Sequence, residues 1–154
     1  MRTVAGVVLL AVAGAAVADD AAEQKRLTGY WKPASVKFDG KEQMPDSAQR
    51  QLITLVIQGG EYRMYCVSDP AKDLHMRLCT ADLTLDPATQ TFQLSVKEGQ
   101  GKADKRHGIY ELKGDVLRLC YGPTDRPRPT QFVAAPGSGH FCEEWVREKT
   151  PEKR

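Results

Sequence analysis

The sequence predicts an all-β fold: an antiparallel sandwich or barrel of eight or nine strands, preceded by a short helix. Three observations predict it. Strand-like segments recur at a spacing of about 8–12 residues. Tight turn signals such as Gly59-Gly60, Asp86-Pro87 and Gly114-Asp115 separate them. No long stretch carries the 3.6-residue apolar period of an amphipathic helix.

Taken in order, Ala21 to Leu27 is a run of good helix formers. Trp31 to Phe38 is the first strand and ends at the Asp39-Gly40 turn. Pro33 inside it donates no ladder hydrogen bond, so this strand is expected at an edge or irregular near its start. Met44 to Gln51 reads as a loop with one or two helical turns. Leu52 to Ile57 is continuously apolar, and Gly59-Gly60 supplies the positive φ angles of a two-residue hairpin. Glu61 to Val67 alternates, with Tyr62, Met64 and Cys66 on one face. A loop over Ser68 to Leu74 leads to His75–Leu85, which places Cys79, Ala81, Leu83 and Leu85 together. Phe92, Leu94 and Val96 mark the next strand, and Glu98 to Lys105 is polar loop. Strands at Ile109–Leu112 and Val116–Tyr121 flank the Gly114-Asp115 turn. A proline-rich stretch over Gly122–Arg128 follows. Strands at Thr130–Ala134 and Phe141–Val146, separated by Pro136-Gly137-Ser138-Gly139, close the series.

The first eighteen residues have the form of a secretory signal peptide. Arg2 is the positive start, Val4 to Val17 is an unbroken run of Ala, Gly, Val and Leu, and Ala16-Val17-Ala18 is a small-x-small cleavage site. The run is shorter than the ~20 residues of a membrane span, so no span is expected after cleavage. The chain has 154 residues, and removing 18 leaves 136. That suffices for one core. Only Arg2 departs from 22 basic residues set against 20 acidic ones, for a net charge of +1. Such a balance is no footprint for nucleic acid or an anionic membrane. The domain is expected over residues 19–149, with 150–154 a solvated tail.

Four cysteines, Cys66, Cys79, Cys120 and Cys142, in an exported chain read as a disulfide framework. No C-x-x-C pair points to zinc or to redox catalysis. Three connectivities are open. Cys66–Cys79 and Cys120–Cys142 are favoured, because each links strands expected to be close; the second is the less secure, since Thr130–Ala134 lies between its partners. Each closure would stabilise by about 3 kcal/mol.

Gly29-Tyr30-Trp31 after a short helix resembles the Gly-x-Trp start of lipocalin-type up-and-down barrels. That resemblance implies that Trp31 plugs the closed end under a basic side chain from the last strand, here Arg147. More of the chain, about Leu27 to Lys149, resembles a lipocalin-like domain family expanded in planctomycete-type bacteria. The residues that carry this are Leu27-Thr28-Gly29-Tyr30-Trp31, Ser35, Asp39-Gly40-Lys41, Leu85-Asp86-Pro87 and Gly108-Ile109-Tyr110-Glu111-Leu112. Gly114-Asp115, Leu117-Arg118-Leu119-Cys120, Arg128-Pro129-Thr130-Gln131-Phe132 and Gly137-Ser138-Gly139-His140 continue the match. Cys66, Cys79 and Cys142 depart from that family's common pattern. The resemblance implies a lipocalin-like antiparallel up-and-down barrel and no activity, since that family has none assigned.

No residue set reads as catalytic. Ser138 and His140 share a glycine turn and lack a nucleophile elbow. Glu143 and Glu144 are adjacent on a strand and so point to opposite faces; Asp82 and Asp86 form no acid–base pair either. His75, His107 and His140 are scattered, although His107 and His140 could meet at a barrel mouth. Arg126 and Arg128 could offer two forks to an anion, but the favoured reading is a rigid solvated turn whose Arg128 pairs with a local acid. No metal or cofactor is expected. An eight-stranded barrel can be filled by side chains or hold one small ligand. The expected function is therefore a non-catalytic exported binding module with a small apolar or amphipathic ligand against Tyr62, Met64, Tyr110 and Tyr121. The alternative is a filled barrel acting as a structural or protein-interaction module through its loops or an exposed edge. A hydrolase or isomerase would require a convergent polar set inside the barrel, with perturbed pKa values.

Overall fold

A computed structural model describes residues 20–149 other than Asp73. The expected signal peptide and tail lie outside the described residues. Helix α1 (Asp20–Leu27) precedes strand β1 (Gly29–Phe38), a two-residue strand β2 (Lys41–Glu42) and helix α2 (Ser47–Leu52). Strands β3 (Ile53–Gln58), β4 (Glu61–Asp69), β5 (Leu74–Asp86), β6 (Thr91–Gly99), β7 (Lys105–Lys113), β8 (Val116–Pro123) and β9 (Phe141–Glu148) follow. Every pairing is antiparallel. The order runs β2-β1-β3-β4-β5-β6-β7-β8-β9, and a β1–β9 ladder closes the sheet. The product is an eight-stranded, lipocalin-like up-and-down barrel with β2 appended to β1, as the strand spacing and the resemblance imply. Closure leaves none of the eight strands with a free edge along its whole length.

The inward faces follow the alternation in the sequence. Tyr62, Ala81, Leu83, Leu85, Phe92, Leu94 and Val96 are buried, as are Tyr110, Leu117, Leu119, Tyr121 and Trp145. Pro33 lies where β1 has left β3 and where a bulge interrupts its ladder with β9. Its missing N–H is therefore tolerated, which matches the irregularity expected there.

Trp31 and Arg147, for which the resemblance implies a plug and its cover, are in contact. Trp31 is fully buried and its indole N–H donates to the Leu27 carbonyl at 3.1 Å. The Arg147 guanidinium lies 4.1 Å above the ring. It donates to the Thr28 and Arg26 carbonyls at 2.7 Å each, satisfying orphaned acceptors at the end of α1. Gly29 has φ +150°, and a Cβ there would stand 2.7 Å from an Arg147 nitrogen. The glycine is what allows the cover to close.

Two sequence expectations are corrected. Thr130–Ala134 is not a strand. Residues 124–140 form one long connection that lies on the outside of β8 and β9. Its apolar residues cover the barrel wall rather than enter the sheet: Ala134 is buried and Phe132 stacks on Arg118 at 4.5 Å. With no strand between them, β8 and β9 are direct neighbours. Cys120 sits opposite Cys142 with Cα atoms 4.1 Å apart, and the two are bonded. Cys66 and Cys79, expected to form the first bridge, are free thiols. Their strands do pair, but the register sets Cys79 against Met64 and Cys66 against Met76. A bulge between these positions offsets the two sulfurs along the ladder.

Candidate functional site

The barrel interior is divided along its length. At the α1 end, Leu27, Ile57, Leu83, Leu85, Phe92 and Tyr110 surround a void of only about 10 Å³. That is room for one water molecule at most, so this half is essentially filled by side chains. Beyond Tyr62 the interior opens into a cavity of about 280 Å³. Its apolar wall includes Met44, Met64, Leu78, Ala81, Leu94 and Val96. Its polar side is formed by Tyr62, Tyr121, Glu143, Arg106 and the Cys79 thiol. Past Arg106 and Phe141, which line both spaces, an outer groove of about 620 Å³ runs between the 103–106 and 122–126 segments.

Alternation on β9 explains the centre of this site. Phe141, Glu143 and Trp145 share the inward face, so Glu143 is carried inside with 6% of its surface exposed. Its two oxygens accept hydrogen bonds from the Tyr121 hydroxyl at 2.7 Å and the Trp145 indole N–H at 2.9 Å. Burial pushes the Glu143 carboxyl above its ordinary pKa, and these two hydrogen bonds and the Arg106 charge oppose that rise. Burial beside Glu143 likewise drives the Tyr62 and Tyr121 phenols well above theirs. Burial raises the Cys79 thiol too, which keeps it protonated and a poor nucleophile.

Arg106 begins on the inward face of β7 and reaches toward the mouth. Its guanidinium lies 5.8 Å from the Tyr121 ring centre and 5.7 Å from that of Phe141. A terminal nitrogen stands 3.6 Å from Asp104. Phe141 in turn stacks on Tyr121, with ring centres 5.6 Å apart. This cation–aromatic stack stands between the inner cavity and the outer groove.

Of the four residues expected to face a ligand, Tyr62, Met64 and Tyr121 line the cavity. Tyr110 does not. It belongs to the filled half, where burial and the Glu23 carboxylate of α1 raise its phenol pKa. Glu143 and Arg106 were missed. The signal for Glu143 was its two-residue offset from Trp145; for Arg106 it was the alternation with Gly108 and Tyr110, hidden because β7 starts four residues earlier than its apolar run.

The remaining constellations resolve as structure. His107 and His140 do converge, but on protein. Their Nε2 atoms meet the neighbouring carbonyls of Arg126 at 2.8 Å and Pro127 at 3.3 Å, pinning the 124–140 connection. Ser138 donates to the Ala135 carbonyl and accepts from the His140 backbone N–H, which builds a turn and not a nucleophile. Arg126 donates to the Gly137 and Ser138 carbonyls, and Arg128 is half-buried, with a buried Nε that meets no hydrogen-bond partner. Glu144 and Asp82 face outward, near Arg118 and paired with Lys97 respectively. His75 lies on an exposed stretch of β5, apart from the other two histidines. Among the described residues no three His, Cys, Asp or Glu side chains are placed to hold a metal, and no helix is long and apolar enough to cross a membrane.

No family description matches the sequence, and no curated protein matches it. Among solved structures, an uncharacterised protein from Bacteroides eggerthii DSM 20697 is similar at 13% identity and a TM-score of 0.48, over 79% of this chain and 98% of that one. Two variants of the fluorescent protein UnaG are similar at 12% identity. Their TM-scores are 0.39 and 0.38, over 80% and 81% of this chain and 96% and 98% of theirs.

Proposed function

We propose that this chain is an exported, non-catalytic binding module that holds a small apolar or amphipathic ligand in the open half of its barrel, and that it belongs with the lipocalin-like family its motifs resemble. The observation that carries the reading is the cavity of about 280 Å³, near the lower end of the range typical of ligand sites, about 300 Å³. Its composition fits: apolar walls for a hydrocarbon body and a few convergent polar groups to orient it. Export is supported by the Cys120–Cys142 bridge, since such bonds persist in oxidising compartments. The acid at the site favours holding over turnover. Both oxygens of Glu143 are engaged by neutral donors, which leaves no carboxylate oxygen aimed without a partner at a reacting atom.

Native mass spectrometry of the protein purified from an oxidising compartment tests this. A mass excess that disappears on denaturation is expected. A protein that carries no excess, and takes up no small apolar probe at millimolar concentration, would exclude the reading. The filled-barrel alternative would then lead, with the exposed Leu74 and Met76 on β5 as its contact surface.

A further inference from the structure

The two free thiols stand in a patch of sulfur. On β4, Met64 and Cys66 alternate with outward residues and share the inward face with Tyr62. Their partners on β3, Leu55 and Ile53, are both buried in the core, which fixes that face. Across the β4–β5 ladder Cys79 lies opposite Met64, and Met76 lies opposite Cys66. Each thiol therefore has a thioether as its cross-strand partner, and the two pairs are one inward step apart. Met64 and Cys79 line the cavity, where Met44 adds a fifth sulfur. Cys66 is half-buried against the core, and Met76 is 53% exposed at the rim. The Cys66 thiol makes a weak hydrogen bond to the Val67 carbonyl at 3.6 Å.

The spacing suits an ion better than a covalent bond. Directly opposite side chains on an antiparallel ladder have Cβ atoms about 4.5–5.5 Å apart, and diagonal neighbours stand about 7–8 Å apart. Cys66 and Cys79 are a diagonal pair. A disulfide does not span that distance without backbone movement. An ion bonded to both sulfurs at about 2.3 Å each lengthens the link enough to reach. The donor types select the ion. Thiolates and thioethers are soft and favour Cu(I), whereas zinc takes thiolate, imidazole or carboxylate. Neither of the last two is at hand. His75 adjoins Met76 on β5 and so points to the other face. His107 and His140 hold the 124–140 connection, and Glu143 serves Tyr121 and Trp145. Zinc would find two of its usual ligands here and Cu(I) four. Burial raises the Cys79 thiol pKa, so the proton yields only to an ion that bonds sulfur strongly.

We propose that Cys66 and Cys79, assisted by Met64 and Met76, form a binding site for one Cu(I) ion. As each thiol bonds the ion, its S–H bond breaks and the proton leaves to solvent; no electron is transferred. Exposed Met76 is the first of these sulfurs that an ion arriving from solvent meets, and the flexible methionine side chain can follow it inward. The site goes beyond the apolar-ligand reading and does not depend on it.

The test uses the full protein, kept anaerobic with ascorbate so that copper stays Cu(I). The ion is supplied as its bicinchoninate complex, whose colour fades as the protein takes copper. One equivalent should be taken up, and an excess of Zn2+ should not displace it. X-ray absorption at the copper edge should show sulfur neighbours alone. Cys66→Ser and Cys79→Ser should each weaken binding by about a hundredfold or more, beyond what an outer-shell change typically costs. Met64→Leu, a swap of similar volume, should weaken it by less. If a serine variant fails to fold, the wild-type absorption spectrum decides. Copper left with bicinchoninate overturns the proposal, as do nitrogen or oxygen neighbours in the spectrum. Displacement by Zn2+, or unchanged affinity in either folded serine variant, overturns it too.

Discussion

Burying Glu143 between Tyr121 and Trp145 costs this protein more as the pH rises. Its carboxyl titrates above the usual value of 4.5 in the folded chain, chiefly because burial disfavours the charge. Between the unfolded and folded pKa values the native state therefore keeps a proton that the unfolded state has released. Stability falls with rising pH through that window, and it is fully present only below the unfolded value. Glu143→Gln removes the titration. It also places an amide nitrogen or a single oxygen before two donors, so one of Tyr121 and Trp145 loses its acceptor at a cost of about 1–3 kcal/mol. The variant should be clearly less stable than wild type near pH 4, and the gap should narrow toward pH 8. Melting temperatures of both proteins across that range measure it. Parallel curves would mean that Glu143 titrates normally and that its burial is relieved by solvent.

At the scale of elements, one bridge and one loop decide how the barrel closes. Cys120 and Cys142 join the paired strands β8 and β9 from the outer face, beneath the 124–140 connection. Alkylation of the denatured, unreduced protein should therefore label Cys66 and Cys79 and spare the other two, and reduction should lower stability by about 3 kcal/mol for a loop of 22 residues. Four protected cysteines would restore the Cys66–Cys79 bridge expected from spacing. That expectation shows where sequence stops being informative. Alternation on β4 and β5 put both cysteines on inward faces, but a register shift of a residue or two is invisible to alternation. The connection misled for a related reason. Phe132 and Ala134 look like strand residues because they cover a wall, and a covering loop needs apolar groups as a strand does; Val133 between them stays exposed. The plug was legible because it depends on local order: a helix end, Gly29 and Trp31 in sequence, with Arg147 two residues past the buried Trp145. The face of Glu143 was legible in the same way, by its offset from Trp145. Its depth was not, because depth depends on how much space the opposite strands leave.

Whether such a barrel is hollow or filled is a property of the whole molecule. The answer here is divided: a packed half under α1 and an open half that meets solvent across Arg106 and Phe141. The dividing stack has a kinetic consequence. Arg106 is the flexible member. Its side chain is 28% exposed and already has Asp104 within 3.6 Å on the solvent side, so a rotamer change can move the guanidinium off the rings without leaving it unpaired. A ligand that enters from the outer groove must wait for that movement. Arg106→Ala removes the wait. It sacrifices cation–aromatic contacts worth about 0.5–1 kcal/mol each and joins the two spaces. Because the door stands equally in the way of entry and exit, association and dissociation rates should rise together, by about tenfold if rotamer exchange limits passage, while Kd for a neutral apolar ligand stays nearly constant. Stopped-flow fluorescence of Trp145, which lines the cavity, gives both rates with octanone as the neutral apolar probe. A faster dissociation with unchanged association would instead make Arg106 a contact of the bound ligand, and would place the entry route elsewhere on the barrel rim.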